Sequence, residues 1–570
     1  MFYYLLTFVL LFCNVIYYNK SYCQDANIPS PSLTRTPSNF MIGVDNAGER
    51  LLGQFTDGQA PYQFDVWWEG MEMLGIDFIS YHFWPNNSTE NQIKSAEELC
   101  RAMEKKDMKF LLNLEFANWR GEWIDEEGFN WVKRPDGNHG FHFKKEILDI
   151  YCSSPAFWGV IYDEAGHMLI NRHYPADQNT GDFPFLAETT GSASVKDAYE
   201  LFLRNASELV QEYKAAGAKN VLAEYVFPPL HVFSEAGFDP APKLLKESWA
   251  PVQTALGMGS ALQYDRSFWL TPDLWDSGHY PGHSPDELRS SLLFAYWMGA
   301  DFVYVENYNY SKGNLAPYSL VEMTTNSVKL SPYGKIVQWF TKEYIPENPR
   351  DYTFRDVKPE VAIIRLEDSD WGQSQPVPGP GMYQDQLYGA KNLHSTPVTR
   401  NWIKIWHLLT HKAIPNEKIS WNAKSNPESV YQQLGDHYSF VPLNNMIVFD
   451  HQVQKKYLNT VKLAFLTGVS ISDETLTAVT ERVNEGMTVV ADPSLVGNTL
   501  QAKYEGKTVS VPQGEGKWVL TEDVLDPIVQ EVVKPFLGQK NEIRYVFGDK
   551  EVIFKIQIGS DILKPVIRLK

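Results

Sequence analysis

From about residue 39 to 310, short apolar runs rich in β-branched and aromatic residues alternate with stretches of helical periodicity, the pattern of parallel β/α units. The runs are FMIGVD (40–45), DFISYHFW (77–84), KFLLNLEF (109–116), FWGVIYDE (157–164), NVLAEYVF (220–227), SALQYDRSFW (260–269) and DFVYVENY (301–308). A weaker run, PDLWDSGHY (272–280), leaves the count at seven or eight. Either number predicts a (β/α)8 TIM barrel of ordinary size.

Apolar residues fill each run, and polar or aromatic groups gather at its C-terminal end: His82 and Trp84, Glu115 and Asn118, Asp163 and Glu164, Glu224, Asp265 and Arg266, Glu306 and Asn307. In a parallel barrel these ends converge on the face that carries active sites. A doubly wound open sheet is the alternative, but no G-x-G-x-x-G or Walker sequence follows an early strand, so nucleotide cofactors lose their best support.

After SPYGKIVQWFTKEYI, the expected last barrel helix, PENPRDYTFRDVKPE marks a boundary. VAIIRLED, MIVFD (446–450), KLAFLTG (462–468) and MTVVADP then read as strands, and SDETLTAVTERVNEG as a helix capped by Ser472 or Asp473 and ended by Gly486. This resembles a flavodoxin-like, glutamine-amidotransferase-like α/β domain. An amidotransferase needs a nucleophilic Cys, and none follows Cys152, so a structural role is expected. Gly-punctuated β alternation from 501 onward predicts a small C-terminal β domain. The expected division is a signal peptide at 1–24, the barrel at 25–355, the second α/β domain at 356–500 and a small β-sandwich at 501–570.

Aromatic residues make up 14% of the chain, more than a core needs for filling, which leaves some to face a ligand. The formal charge of -19 repels phosphate backbones and excludes nucleic acid as a partner class, while favouring neutral ligands. Residues 2–18 are almost wholly apolar and lead into a polar stretch, a secretory pattern that predicts a secreted or periplasmic protein. The stretch lacks an N-terminal Lys or Arg and is long enough for an uncleaved membrane anchor, so both outcomes stay open. Lipidation at Cys23 ranks second, because Lys20, Ser21 and Tyr22 do not form a lipobox. Only Cys100 and Cys152 lie further on, enough for one disulfide and for no Cys-rich metal site.

Hydrolysis of a glycosidic bond usually takes two carboxyl groups, one to protonate the leaving oxygen and one to attack the anomeric carbon or activate water. Glu164 in WGVIYDEAGH is the candidate acid, since apolar neighbours and the adjacent Asp163 both raise a carboxyl pKa; the competing role is a helix cap. Glu306 in GADFVYVENYNY is the candidate partner, an acid in a run with no other reason to carry charge. Its competing role is an ion pair with a buried Arg such as Arg266. Glu224 and Asp276 stand in reserve; if 272–280 is a true strand, Glu306 falls on strand eight rather than seven and Asp276 gains weight as nucleophile.

An acid ending strand four, another late in the barrel and an appended amidotransferase-like domain together resemble the clan A glycoside hydrolases. LLFAYWMGADFVYVENY and LAFLTGVSISDETLTAVTERVNEGMTVVADP are similar to the barrel end and the trimerisation domain of glycoside hydrolase family 42. The chain departs from that family at Asp163, where the clan usually has Asn, and in lacking zinc-binding cysteines. A closer resemblance is to glycoside hydrolase family 164, secreted β-mannosidases of similar length and trimeric build. That resemblance covers most of the chain through domain order and the spacing of Glu164 and Glu306. It implies Glu164 as acid/base and Glu306 as nucleophile of a retaining mechanism, an oligo- or polysaccharide substrate, and a homotrimer formed through 356–500. Another β-glycosidase (galactosidase or glucosidase, retaining or inverting) and a non-catalytic carbohydrate-binding barrel are the alternatives.

Trp84, Trp119, Trp123, Trp131, Trp269 and Trp275 are candidates for stacking on sugar faces, each competing with a plain core role. Glu115, Asn118, Trp119 and Arg120 put charge, amide and ring into one loop suited to hydroxyl recognition, and His82, Asp163, Glu224, Asp276 and His279 complete the expected substrate contacts. His279 and His283 are four apart, but the intervening Tyr280-Pro281-Gly282 opposes a helix, so no metal is expected, nor any cofactor. No G-x-S-x-G elbow supports Ser-His-Asp hydrolysis.

Overall fold

The computed structural model describes residues 40–46, 64–82, 89–114, 131–133, 139–141, 144–163, 192–225, 229–244, 249–274, 283–309, 316–366, 397–414, 416, 439–557 and 562–569. Eight parallel strands close into a barrel: β1 (Met41–Asn46), β2 (Phe78–His82), β3 (Lys109–Asn113), β4 (Phe157–Asp163), β5 (Asn220–Tyr225), β6 (Asp239–Leu244), β7 (Trp269–Pro272) and β8 (Phe302–Val305). Each is followed by a helix: α1 (Phe64–Leu74), α2 (Thr89–Lys105), α3 (Lys145–Ser153), α4 (Val195–Ala216), α5 (Leu230–Ala236), α6 (Ala250–Gln263), α7 (Pro285–Trp297) and α8 (Pro332–Trp339). Strand order follows chain order around the ring, with β1 hydrogen-bonded to both β2 and β8.

Two features differ from the sequence expectation. The run 260–269 is not a strand: α6 extends to Gln263, and β7 starts only at Trp269. The strand that went unrecognised is β6, DPAPKL, whose two prolines read as breakers. Pro242 is tolerated because its ring faces outward onto α6, where a Cβ on Gly257 would stand 2.7 Å from Pro242 Cγ. With β6 counted, Glu306 follows strand eight, not seven.

α6 is buried continuously from Ala250 to Ala261, apolar all round because it lies between the barrel and a second sheet. That sheet holds β9 (Val361–Leu366), β10 (Met446–Asp450), β11 (Leu463–Gly468), β12 (Thr488–Ala491), β13 (Val509–Gln513) and β14 (Gly516–Leu520), in the order β10-β9-β11-β12-β14-β13. Only the edge strand β13 runs antiparallel to its neighbour. A Cβ on Gly259 would fall 1.7 Å from Val448 O, so the glycine permits backbone contact between α6 and β10. Helix α9 (Asp473–Asn484) is capped by Ser472, whose side chain accepts from Thr475 N–H, and Gly486 follows its end at φ +110°.

β13 and β14 thus belong to the second sheet, although the sequence reading put them in the C-terminal module. That module is one four-stranded sheet of Leu443–Asn444, β15 (Glu542–Phe547), β16 (Lys550–Ile556) and β17 (Leu563–Leu569). Alternation alone identifies strands but not their sheet. Among the described residues no helix is long and apolar enough to cross a membrane.

At the N-terminal face of the barrel, burial pushes the Asp239 carboxyl up to about 6, against the pull of the Ser267 N–H, Lys214 and Arg266. A carboxyl whose folded pKa is raised favours folding in its neutral form and loses that benefit as pH rises through the folded value. We expect Asp239→Asn, which keeps the acceptor for Ser267, to match wild type near pH 4 and to melt progressively higher than wild type from pH 4 to 7. An unchanged Tm difference across that range would contradict the assignment.

Candidate active site

Successive side chains on a strand point to opposite faces, so the inward residues of each barrel strand recur every second position. Phe78, Leu111, Ile161, Leu222, Ala241, Trp269 and Tyr304 form one compact apolar cluster inside the barrel. Phe78 closes it opposite β1, where a Cβ on Gly43 would sit 2.4 Å from the Phe78 ring. The following inward positions toward the C-terminal face are polar: Asn113, Asp163, Glu224, Lys243 and Glu306, with Ser80 and then His82 on β2, Thr271 and then Asp273 at the end of β7, and Asp45 on β1. All of them are buried, Glu306 being the most exposed at 9% while Glu224 and Asp273 have no exposure.

Lys243 organises this layer. Its Nζ lies 2.9 Å from Glu306 Oε1, 3.3 Å from Glu224 Oε1, and 3.5 Å from both Asp163 Oδ1 and Asp273 Oδ2. Asn113 Nδ2 donates to Asp163 Oδ2 at 2.9 Å, and the Tyr304 hydroxyl donates to Glu224. Beside them His82 Nε2 is 2.8 Å from Asp45 Oδ2, and Ser80 Oγ donates to Asp45 Oδ1 at 2.5 Å. The end of β8 is pinned on both sides: Glu306 N–H donates to Pro272 O and Tyr308 N–H to Asp45 O. Asn307 between them takes φ +79°, a left-handed conformation that Asn tolerates better than most residues.

Four carboxyls around one ammonium cannot all be charged in a buried site. Burial, then the Asp163 charge, raises Glu224 well above the carboxyl range despite Lys243, so Glu224 holds a proton. Burial alone would raise Glu306 too, but the Lys243 ammonium and hydrogen bonds from Glu224, Asp273 and Lys243 outweigh it and hold Glu306 below its ordinary value. Glu306 is therefore an anion at the accessible edge of the cluster, suited to attack or proton abstraction and not to acid catalysis. Carboxyl oxygens of Asp163, Glu224 and Glu306 approach within 4.8 Å of one another, the spacing of a cation site. Lys243 Nζ stands among them, so the cluster is built around an ammonium and we assign no metal to it.

Of the residues singled out in the sequence, His82, Asp163, Glu224 and Glu306 come together here. Asp265 and Arg266 do not: they precede β7 at the opposite face, and Arg266 Nε donates to Ser234 O at 2.8 Å. The charge partner of Glu306 is Lys243, not Arg266. Trp269 lies in the apolar plug, stacked on Phe302 with ring centroids 4.1 Å apart, and is not a sugar platform. His283 is buried, with Nδ1 3.7 Å from Glu287 Oε2. Glu164, Trp84, Glu115, Asn118, Trp119, Arg120, Trp123, Trp275, Asp276 and His279 lie outside the described residues, and of Trp131 only the backbone is described. Sequence reasoning missed Asp45, Asn113, Lys243, Asp273 and Tyr304; carrying the two-residue period past each apolar inward position would have found Asn113 and Tyr304.

No protein-family model matches the chain, and no curated protein matches it. Among solved structures it is similar to Gan42B, a family 42 β-galactosidase, at 10% identity over 94% of each chain with a TM-score of 0.47. It is also similar to the exo-β-1,4-mannosidase Op5Man5 from Opitutaceae bacterium strain TAV5, at 9% identity over 93% of this chain and 91% of that one, TM-score 0.42. The catalytic module of a family 98 glycoside hydrolase from Streptococcus pneumoniae TIGR4 covers 94% of this chain with 75% of its own, at 10% identity and a TM-score of 0.42. Likeness at this level carries no argument about function, and the barrel rests on the strand order of this chain itself.

The proton assignment sets opposite pH signs for two isosteric variants. Glu224, raised, favours folding in its neutral form and loses that as pH climbs, so Glu224→Gln should match wild type near pH 4 and surpass it as pH rises. Glu306, lowered, favours folding above the usual carboxyl range and loses that as pH falls. Glu306→Gln should thus be less stable at neutral pH by about 2 kcal/mol, the worth of a charged hydrogen bond, with the deficit closing only in strong acid. Urea unfolding across pH checks both, and reversed signs would reverse the assignment.

Proposed function

We propose that the protein is a glycoside hydrolase that cleaves neutral glycans by double displacement. One observation carries this reading: every barrel strand delivers a polar side chain at or just beyond its C-terminal end, and the accessible member of that layer, Glu306, is an ionised carboxylate above an apolar plug. Glu306 then attacks the anomeric carbon, forming a glycosyl ester as the leaving oxygen takes a proton. Glu224 holds a proton but has no exposure, so it is unsuited to reach a glycosidic oxygen. The acid must come from outside the buried layer, and Glu164, next in sequence to Asp163, is the residue we assign. It would afterwards deprotonate the water that releases the sugar.

The resemblance to family 164 favours a β-mannoside as substrate. The overall charge of -19 agrees with a neutral glycan rather than a polyanionic one. Secretion through the apolar segment 2–18 is part of the same reading. So is a structural role for the second sheet, whose first four strands follow the order 2-1-3-4 of flavodoxin-like folds. We place homotrimer formation there, which light scattering reads directly.

A second nucleophile assignment has one observation in its favour. β7 ends at Pro272, so Asp276 stands four positions beyond a barrel strand end, although the closed barrel counts no separate strand at 272–280, which would have raised its weight in the sequence. A 2-deoxy-2-fluoro mannoside with a good leaving group slows release of the covalent intermediate and lets it accumulate. Peptide mapping should find the label on Glu306; a label on Asp276 would move the role while keeping the reaction. The absence of label together with an inverted product by proton NMR would end the double-displacement reading.

The acid is tested separately. Glu164→Ala should lose at least about 100-fold on substrates with poor leaving groups and far less on activated aryl glycosides, with azide restoring part of the turnover. Equal losses on both, without rescue, would remove Glu164 from the mechanism.

A further inference from the structure

Lys243 has no place in the two-carboxyl scheme, yet it is the most heavily engaged side chain of the site. Groups face its ammonium from several elements: Asp163 on β4, Glu224 on β5, Asp273 after β7 and Glu306 after β8. Tyr304 on β8 backs Glu224, Asn113 on β3 backs Asp163, and His82 on β2 is paired with Asp45 on β1 in the same layer. The shortest of the four contacts, 2.9 Å, goes to Glu306, the member nearest solvent.

We propose that Lys243 is the positioning residue of the nucleophile: from β6 its ammonium fixes the orientation of the Glu306 carboxylate at the barrel mouth and keeps it anionic, while Glu224 beneath it stays neutral. A compact ammonium with three donors suits this place among four acids better than a planar guanidinium, whose fork needs two oxygens in its own plane. The lowered proton affinity of Glu306 and the raised affinity of Glu224 agree with that division. The catalytic consequence rests on the proposed function, but the physical claim does not.

The test therefore reads both. With 13C-labelled glutamate, the Glu306 carboxyl, assigned by its absence in Glu306→Gln, should titrate well below the exposed glutamates in the wild-type protein. In Lys243→Met it should move up by at least one pH unit, the acid limb of kcat/KM should move with it, and kcat should fall at least 100-fold with KM nearly unchanged. Lys243→Arg should keep the low titration, because charge is retained, yet lose about tenfold in kcat because geometry is not. Glu306 titrating with the exposed glutamates in wild type, an unmoved titration in folded Lys243→Met, or Lys243→Arg moving as far as Lys243→Met would each overturn the proposal. If Lys243→Met does not fold, the wild-type and Lys243→Arg titrations decide. Expected titrations without turnover of any glycoside would reject the glycosidase reading and leave the role of Lys243 intact.

Discussion

One ammonium set among four buried carboxyls is the interaction on which the site depends. Taking a lysine to 3% exposure is costly unless its charge is met, and taking four acids with it is costly unless some remain neutral. The two costs offset each other with the ammonium at the centre and a proton held on Glu224. The barrel supplies that centre because strands β4, β5, β6, β7 and β8 all end on it. An open sheet has no position toward which so many strand ends point.

The apolar layer beneath makes the charges effective. Phe78, Leu111, Ile161, Leu222, Trp269 and Tyr304 fill the barrel below the acids, and Trp269 stacked on Phe302 closes its lower part. With water excluded from below, a contact of 2.9 Å between Lys243 and Glu306 is screened far less than the same contact on the surface. Tyr304 belongs to both layers: its ring is part of the plug and its hydroxyl serves Glu224. The plug and the charge balance are thus one construction.

Most of this frame was legible in the sequence, where seven apolar runs fall on six barrel strands and the start of a seventh, and His82, Asp163, Glu224 and Glu306 at their ends mark the correct face, whereas Asp265 and Arg266 lie at the opposite one. What stayed hidden has physical causes. DPAPKL hides β6, and with it Lys243, because prolines ordinarily exclude a central strand; here Pro242 packs outward on Gly257. SALQYDRSFW was mistaken for a strand because α6 is buried on all sides and so lacks the polar stripe that marks a helix. Pairing is invisible to periodicity as well: the sequence offered Arg266 as the charge partner of Glu306, and the fold brings up instead a lysine 63 positions earlier in the chain.

The appended sheets bear on the chemistry through the helices that feed the site. α6 links β6, which carries Lys243, to β7, which ends at Asp273, and its other side is pressed on β10 through Gly259 and Val448. Asp450 N–H donates to Gln263 Oε1 at the end of α6 at 3.1 Å, and His231 Nε2 on the neighbouring α5 reaches Val448 O at 3.0 Å, so polar contacts from two barrel helices hold β10 in place. α7, which leads to β8 and Glu306, is covered in turn by the C-terminal sheet: Phe294 and Phe554 rings lie 5.1 Å apart, and Leu563 N–H donates to Ser290 Oγ. Both helices are too apolar to stand exposed. A barrel cut free near 355 would present them to water, and the strands they hold are those that set the ammonium against its acids. The second and third sheets are therefore required for the geometry of Lys243 and Glu306 although neither contributes a side chain to the charged layer described here.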